Sequence, residues 1–205
     1  DRSVQGGRGR KRGAAMNAVV VAIGSELLRP ARRETNGDWL IARLYDLGIE
    51  ASWRAAIGDD AVRIAQVVRA ALNDAEIVVL TGGLGPTEDD RTREAIAHAL
   101  DAPLTRDAAM ADRIAALFTA RGRVPGPRQS RQADRPRGMA WIENPLGSAP
   151  GLLLRRKRGL LAALPGVPAE MRAMFDASVA PLLATLTPRA LAQTTLRIAG
   201  RPESF

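Results

Sequence analysis

Short apolar runs alternate with segments of helical periodicity along most of the chain. The first runs cover residues 18–23, 49–53 and 76–80, and each has the length of a buried strand. Between them, apolar residues recur every three or four positions in residues 36–47 and 60–72, which is the spacing of amphipathic helices. This alternation predicts an α/β fold built on a parallel, doubly wound sheet.

The second half of the chain continues this pattern after one interruption. Helices are predicted over residues 90–100 and 106–120. Residues 121–137 then break the pattern with six Arg, three Pro and two Gly, and we interpret them as a long excursion over the ligand side. Further strands are predicted at residues 139–142, 151–154, 159–164 and 194–199, with a helix that begins near Pro168.

Composition limits the class of protein. The 205 residues contain 46% apolar and only 3% aromatic residues, enough for one domain with an aliphatic core. There is no cysteine, which excludes disulfides and fits a cytoplasmic location, and no apolar run approaches the roughly 20 residues of a membrane span. Residues 1–15 hold five basic side chains and one acid, and are predicted to be a disordered basic extension of a domain over residues 16–190.

The most informative stretch is the glycine-rich turn that follows the third strand. Glycines at 82, 83 and 85 allow backbone N–H groups to converge, and such groups beside a helix start bind phosphate. Three acids, Glu88, Asp89 and Asp90, follow at once and would repel a phosphate unless a divalent cation bridges the two. The same residues also allow a plain capping box with Thr87 as N-cap, which does not compete with a ligand site.

Two other glycine turns follow predicted strands. They are Gly24-Ser25-Glu26 and residues 165–168, and in a parallel sheet both reach the same edge as the glycine-rich turn. Glu26 is a candidate to bind a ribose or a heterocycle, or else it is a solvated loop acid. Asp59 follows the second strand and is a candidate metal ligand, or else a helix cap.

These separate motifs together resemble one known family. They are Gly24-Ser25-Glu26-Leu27-Leu28, Thr35-Asn36, Gly58-Asp59, residues 81–90 with Thr92, residues 144–151 and residues 164–171. They resemble the N-terminal domain of the competence/damage-inducible protein CinA, which shares a molybdopterin-binding fold with MogA, MoaB and MoeA. The resemblance implies a three-layer α/β domain, with a mostly parallel sheet and helices on both faces, that forms a homo-oligomer.

The resemblance also implies a ligand and a chemistry. In the molybdenum-cofactor relatives the glycine loop binds the terminal phosphate of a pterin, and two essential aspartates match Asp59 and Asp90 here. CinA-type domains are described as hydrolysing ADP-ribose at its pyrophosphate with a divalent metal. Residues 191–205 resemble the family's connection to a further small domain, so they are predicted to begin a C-terminal appendage.

The resulting hypothesis is a hydrolase of a nucleotide-type diphosphate. Asp59 and Asp90 are the predicted catalytic residues, and Asp59, Asp89 and Asp90 would hold Mg²⁺, Mn²⁺ or Co²⁺. The predicted phosphate- and substrate-binding residues are Gly24, Ser25, Glu26, Asn36, Thr81, Gly82, Gly83, Gly85, Thr87, Asn144, Gly166 and Pro168. The alternative is a non-catalytic domain that binds a small-molecule pterin or nucleotide. Nucleic acid is not an expected partner, because the arginines lack interleaved aromatic residues.

Overall fold

The architecture is a six-stranded sheet covered by helices on both faces. The computed structural model describes residues 16–30, 33–124 and 126–186. The strands are β1 (Asn17–Ile23), β2 (Glu50–Ile57), β3 (Ile77–Thr81), β4 (Leu104–Arg106), β5 (Asp134–Pro136), β6 (Ala140–Ile142), β7 (Gly151–Arg155) and β8 (Leu160–Leu164). The sheet order is β2-β1-β3-β8-β7-β6; the first four strands are parallel, and the last two run antiparallel to their neighbours.

Helices connect these strands. They are α1 (Asn36–Asp46), α2 (Ala61–Asp74), α3 (Thr92–Leu100), α4 (Ala108–Ala120), the short α5 (Pro127–Ser130), α6 (Pro168–Met174) and α7 (Ala180–Leu186), with a π-helical turn, Phe175–Val179, between the last two. Single 3₁₀ turns follow β1 at Ser25–Leu28 and precede β5 at Arg131–Ala133. Asp60 caps α2 by accepting a hydrogen bond from Arg63 N.

Side chains along the buried strands alternate between the two faces of the sheet, and this creates the three layers. Ala18 and Val20 of β1 face the layer that contains α1, α6 and α7, where Phe175 is fully buried. Val19 and Val21 face the other way, toward α2 and α3. Because successive side chains of a strand point to opposite faces, one continuous apolar strand supplies both cores. The predicted α/β fold, with helices on both faces of a mostly parallel sheet, is confirmed.

Several local predictions need correction. Residues 104–106 and 134–136 pair as a separate antiparallel ribbon, so the predicted helix over 106–120 begins instead at Ala108, with Asp107 as its N-cap. The ribbon strands are three residues long and mostly polar, too short to give a period-two signal. The predicted strand at 194–199, the extension at 1–15 and the appendage at 191–205 lie outside the described residues.

Residues 155–158 form the tip of the hairpin between β7 and β8, and one of its arginines stabilises the end of α2. Arg156 donates hydrogen bonds of 2.8 and 2.7 Å to the carbonyl oxygens of Ala75 and Leu72 at the end of α2. These are carbonyls that a helix end leaves without partners. Next to it, Gly159 has φ +94°, and an added Cβ would overlap the carbonyl oxygen of Glu76.

None of the helices in the described ranges is both long enough and apolar enough to cross a membrane.

We expect Gly159→Ala to lower the free energy of unfolding by about 1–3 kcal/mol more than Gly122→Ala. Both glycines have positive φ, but nothing lies within 4 Å of a Cβ added at Gly122. Urea unfolding of the two variants isolates the cost of the overlap with Glu76. Equal losses for the two variants would contradict the close approach of Gly159 to the carbonyl oxygen of Glu76.

Candidate functional site

One cavity lies at the edge of the sheet where β1, β2, β3 and β8 end. Its volume is about 640 Å³, within the range that small-molecule ligands occupy. Loops from distant parts of the sequence form its wall, because parallel strands all end at the same edge. The predicted residues that line it are Gly24, Glu26, Asp59, Gly82, Gly83, Gly85, Thr87, Asp89, Asp90, Gly166 and Pro168.

The glycine-rich loop is held from behind through its carbonyl groups. The hydroxyl of Thr92 donates to Gly82 O at 2.9 Å, and the backbone N–H of Thr92 donates to Gly83 O at 3.1 Å. The guanidinium of Arg93 donates to the carbonyl oxygens of Leu84 and Gly85. Four consecutive carbonyls therefore point toward the first turn of α3.

This anchoring fixes the direction of the backbone N–H groups. In a trans peptide the N–H points opposite to the C=O of the preceding residue. The N–H groups of Gly83, Leu84 and Gly85 therefore point away from α3, and they donate no hydrogen bond within the described part of the chain. These three free amides are therefore candidate donors to an anion.

Gly82 has a different role from the one predicted for its amide. Its N–H donates to Leu164 O at 2.9 Å and so is already engaged. Its φ is +105°, and an added Cβ would overlap the carbonyl oxygen of Ile23. Gly82 therefore lets the loop leave β3 between β1 and β8, and the amides left for a phosphate are those of the next three residues.

Arg93 is a buried cation that serves the loop and not the cavity. Its exposed fraction is only 3%, and burial lowers the pKa of its guanidinium to about 10. The nearby carboxylates of Asp90, Asp134 and Glu94 oppose that shift, so the group stays protonated at neutral pH. A planar guanidinium suits this position because it can donate to two carbonyls at once.

Thr87 and Asp90 form a closed turn ahead of α3. The backbone N–H and the hydroxyl of Thr87 both donate to Asp90 Oδ2, at 2.8 and 2.6 Å, and Asp90 N donates back to Thr87 O at 3.2 Å. The predicted capping box is wrong in its placement, since α3 begins at Thr92. Residue Arg91 occupies the N-cap position and makes no side-chain cap. The turn presents Asp90 and Asp89 to the cavity.

Asp59 is also tied to a neighbouring loop. Ser25 N donates to Asp59 Oδ2 at 2.8 Å, and Asp59 N donates to Ser25 Oγ at 3.2 Å. These reciprocal bonds join the loops after β1 and β2. Asp60, and not Asp59, caps α2, so the capping alternative for Asp59 is wrong.

Four predicted site residues stand behind the cavity wall and do not line it. Ser25 positions Asp59, as described above. Asn36 donates to Thr81 Oγ1 at 3.1 Å and to Gly166 O at 2.9 Å, and the hydroxyl of Thr81 donates to Pro165 O at 2.9 Å. These bonds join α1, β3 and the loop after β8.

Asn144 is the fourth residue behind the wall, and it organises the loop before β7. Its amide nitrogen donates to Ala149 O at 2.9 Å and to Glu170 Oε2 at 2.6 Å. Its Oδ1 accepts hydrogen bonds from the backbone N–H groups of Leu146 and Gly147 at 3.0 and 2.8 Å. With all these bonds formed, Asn144 positions the loop that carries Ser148.

The cavity is strongly acidic although the chain carries a formal net charge of +8. Its wall contains the carboxylates Glu26, Asp59, Asp89, Asp90 and Glu170, and no Lys, Arg or His side chain of the described residues joins them. The predicted excursion does not supply arginine to the wall. Arg128 instead pairs with Glu88 at 3.1 Å, and Arg131 pairs with Glu94 at 2.5 Å.

The carboxylates of the cavity are too dispersed to hold a divalent cation without a ligand. Among residues 16–30, 33–124 and 126–186, no three Asp, Glu or His side chains come together as a preformed metal site. Mg²⁺ is commonly held by one or two carboxylates together with water and the phosphates of a substrate. The residues therefore fit a cation held jointly with a phosphate ligand, and do not fit one held by the protein alone.

Sequence reasoning missed three polar residues of the wall: Gln132, Ser148 and Glu170. Ser148 and Glu170 lie within the motifs that carry the family resemblance, which was the available signal for them. Gln132 lies in the arginine-rich excursion, where no periodicity pointed to it. It is nonetheless buried, with 1% of its surface exposed.

Comparison with known proteins agrees with this architecture. A family described as "probable molybdopterin binding domain" matches residues 19–185. A CinA-like protein of Thermomicrobium roseum is 43% identical over 191 residues, which are 93% of this chain and 47% of that protein. A CinA-like protein of Solibacter usitatus is 42% identical over 190 residues, covering 92% of this chain and 46% of that protein.

Solved structures extend the comparison. The crystal structure of CinA from Thermoplasma acidophilum, whose function is unknown, is 32% identical with a TM-score of 0.74, and covers 82% of this chain and 98% of that one. The molybdopterin biosynthesis enzyme MoaB from Thermus thermophilus is 19% identical with a TM-score of 0.56, and covers 85% of this chain and 98% of that one. The second likeness shows the fold alone.

The fold and the loop-built cavity define a molybdopterin-binding-type α/β domain. The chain belongs to that family, and within it to the CinA-like proteins. It spans about half the length of the CinA-like relatives described above.

We expect Thr92→Val to lower the free energy of unfolding by about 1–3 kcal/mol, because the carbonyl of Gly82 would remain buried without its donor. Thr105→Val is the matched control, since its hydroxyl makes an exposed bond of 3.3 Å to Arg135 O, and we expect a change within about 0.5 kcal/mol. Chemical denaturation measures both. Equal effects would show that the hydroxyl of Thr92 does not anchor the loop.

Proposed function

We propose that this domain binds a nucleotide-type diphosphate in the acidic cavity and hydrolyses its pyrophosphate bond, with ADP-ribose as the leading substrate. The observation that carries the proposal is the combination of three free backbone amides with five carboxylates in one cavity. The amides alone favour a phosphate, and the carboxylates alone repel it. Both are satisfied when a divalent cation lies between them.

The glycine loop binds and orients one phosphate in this proposal. The N–H groups of Gly83, Leu84 and Gly85 donate to its oxygens. Since Thr92 and Arg93 hold the three carbonyls behind them, those of Gly82, Gly83 and Leu84, these donors are fixed before the ligand arrives. Donors that need no reorganisation stabilise charge that develops on a phosphoryl group more than solvent does.

The carboxylates complete the site. Asp59, Asp89 and Asp90 would hold Mg²⁺, Mn²⁺ or Co²⁺ together with the diphosphate, and Asp59 and Asp90 have their positions fixed by Ser25 and Thr87. Such a cation, when bound, lowers the pKa of a coordinated water and offsets phosphate charge. Addition of water across the pyrophosphate P–O bond yields AMP and ribose 5-phosphate.

A second candidate is a domain that binds a pterin or nucleotide without hydrolysing it. The description of the matching family favours this candidate, since it names molybdopterin binding and no reaction. The same three amides would hold the terminal phosphate of a pterin. The two candidates differ in turnover and not in the location of the ligand.

We expect the protein to release AMP from ADP-ribose in the presence of Co²⁺, Mn²⁺ or Mg²⁺ and not in excess chelator. Asp90→Asn should reduce the rate by at least about 100-fold, because it removes a negative charge from the cation-binding group. The amide oxygen still accepts from Thr87, so the melting temperature should change little. Chromatography of AMP and thermal unfolding give the two readouts.

Glu88→Gln is the matched control for this experiment. It also removes one acid of the same loop, but Glu88 pairs with Arg128 at an exposed position and does not line the cavity. We expect its rate to stay within about twofold of the unaltered protein, because an exposed ion pair contributes little. Saturable binding of ADP-ribose without AMP release under any metal would instead support the second candidate.

A further inference from the structure

Gln132 is a buried amide that has no hydrogen-bond partner in the described part of the chain. Neither its Oε1 nor its Nε2 is bonded, although the residue is 1% exposed. Asn36 and Arg93 also leave one buried atom unpaired, but each bonds through its other atoms. Burying an amide without partners costs about 1–3 kcal/mol, so such a residue is rare in a native protein.

The position of Gln132 connects this unpaired amide to the ligand. It lies in the turn Arg131–Ala133 and forms part of the wall of the acidic cavity, with the glycine loop and Ser148. The neighbouring residues are tied to other elements: Ala133 O accepts from Asp107 N, and the side chain of Arg131 pairs with Glu94. The turn that carries Gln132 is therefore held in place, while no hydrogen bond of the described residues fixes the side-chain amide itself.

The chemistry of a primary amide selects among ligand groups. A phosphate only accepts hydrogen bonds and would leave Oε1 unpaired, whereas a cation would leave Nε2 unpaired. A heterocycle edge with a donor beside an acceptor satisfies both atoms at once. Glutamine makes this paired contact with the amino group and neighbouring ring nitrogen of adenine.

We propose that Gln132 is a specificity residue of this cavity, and that its amide forms paired hydrogen bonds with the edge of an adenine ring. The inference deepens the proposed function, since it assigns the part of the ligand that lies away from the phosphates. The cavity volume of about 640 Å³ accommodates a nucleotide and not only a phosphate. Guanine and pterins present a different arrangement of donors and acceptors on their ring edge. The binding experiment described next distinguishes them from adenine.

The test measures binding of nucleoside monophosphates, which contain no pyrophosphate bond, by calorimetry with excess Mg²⁺. We expect AMP to bind at least about 10-fold more tightly than IMP, which has an acceptor in place of the amino donor. Gln132→Met keeps the length of the side chain but removes the amide. We expect this variant to bind AMP roughly 10-fold to 100-fold more weakly and to lose the preference for AMP over IMP. Its affinity for ribose 5-phosphate should be unchanged.

Gln66→Met is the matched control, because Gln66 is exposed on α2 and does not line the cavity. Its affinities should equal those of the unaltered protein. The melting temperature without ligand gives a second readout. Gln132→Met should leave it unchanged or raise it, because the variant removes an unpaired buried group.

Four results would overturn the assignment. Unchanged AMP affinity in Gln132→Met would remove Gln132 from the ligand contacts. A clear fall in its melting temperature without ligand would show that the amide has a partner inside the protein. Tighter binding of GMP than AMP, lost in Gln132→Met, would reassign the edge to guanine or a pterin. Absence of binding by AMP, IMP and GMP would reject a heterocycle subsite, while AMP release from ADP-ribose decides the proposed hydrolysis separately.

Discussion

The attachment of four consecutive carbonyls to the start of α3 is the interaction on which the candidate site depends. Thr92 holds the carbonyls of Gly82 and Gly83, and Arg93 holds those of Leu84 and Gly85. Because peptide groups are planar and trans, fixing the carbonyls also fixes the amides on the opposite side. The loop thus offers free amide donors for an anion without any basic side chain of the described residues at the cavity wall.

This arrangement separates two kinds of charge. Arg93 is a buried positive charge that donates hydrogen bonds to backbone carbonyls, whereas five carboxylates line the cavity. Other arginines near the loop pair with Glu88 and Glu94 and not with a ligand position. The positive net charge of the chain therefore does not indicate the charge of its ligand. The acidity of the cavity wall is the property that favours a cation beside a phosphate.

Much of the candidate site follows from sequence. Glycines after strands and acids after the glycine loop place Gly83, Gly85, Asp59, Asp89 and Asp90 in one cavity, as expected from parallel strands. Ser25, Asn36, Thr81 and Asn144 belong to the same motifs but support the loops from behind. A motif reports that a residue is needed near the site, and it does not report the direction of its side chain.

The sequence by itself determined the alternation of strands and helices, the edge at which the loops meet and the acidic glycine turn. These features depend on periodicity and on residue type, which are local properties of the chain. Only the tertiary structure decided that the Gly82 amide is already engaged, that Arg93 stands behind the loop, and that Gln132 enters the cavity wall. Each of these depends on contacts between segments far apart in the chain or on the direction of a peptide plane, and neither leaves a pattern in the sequence.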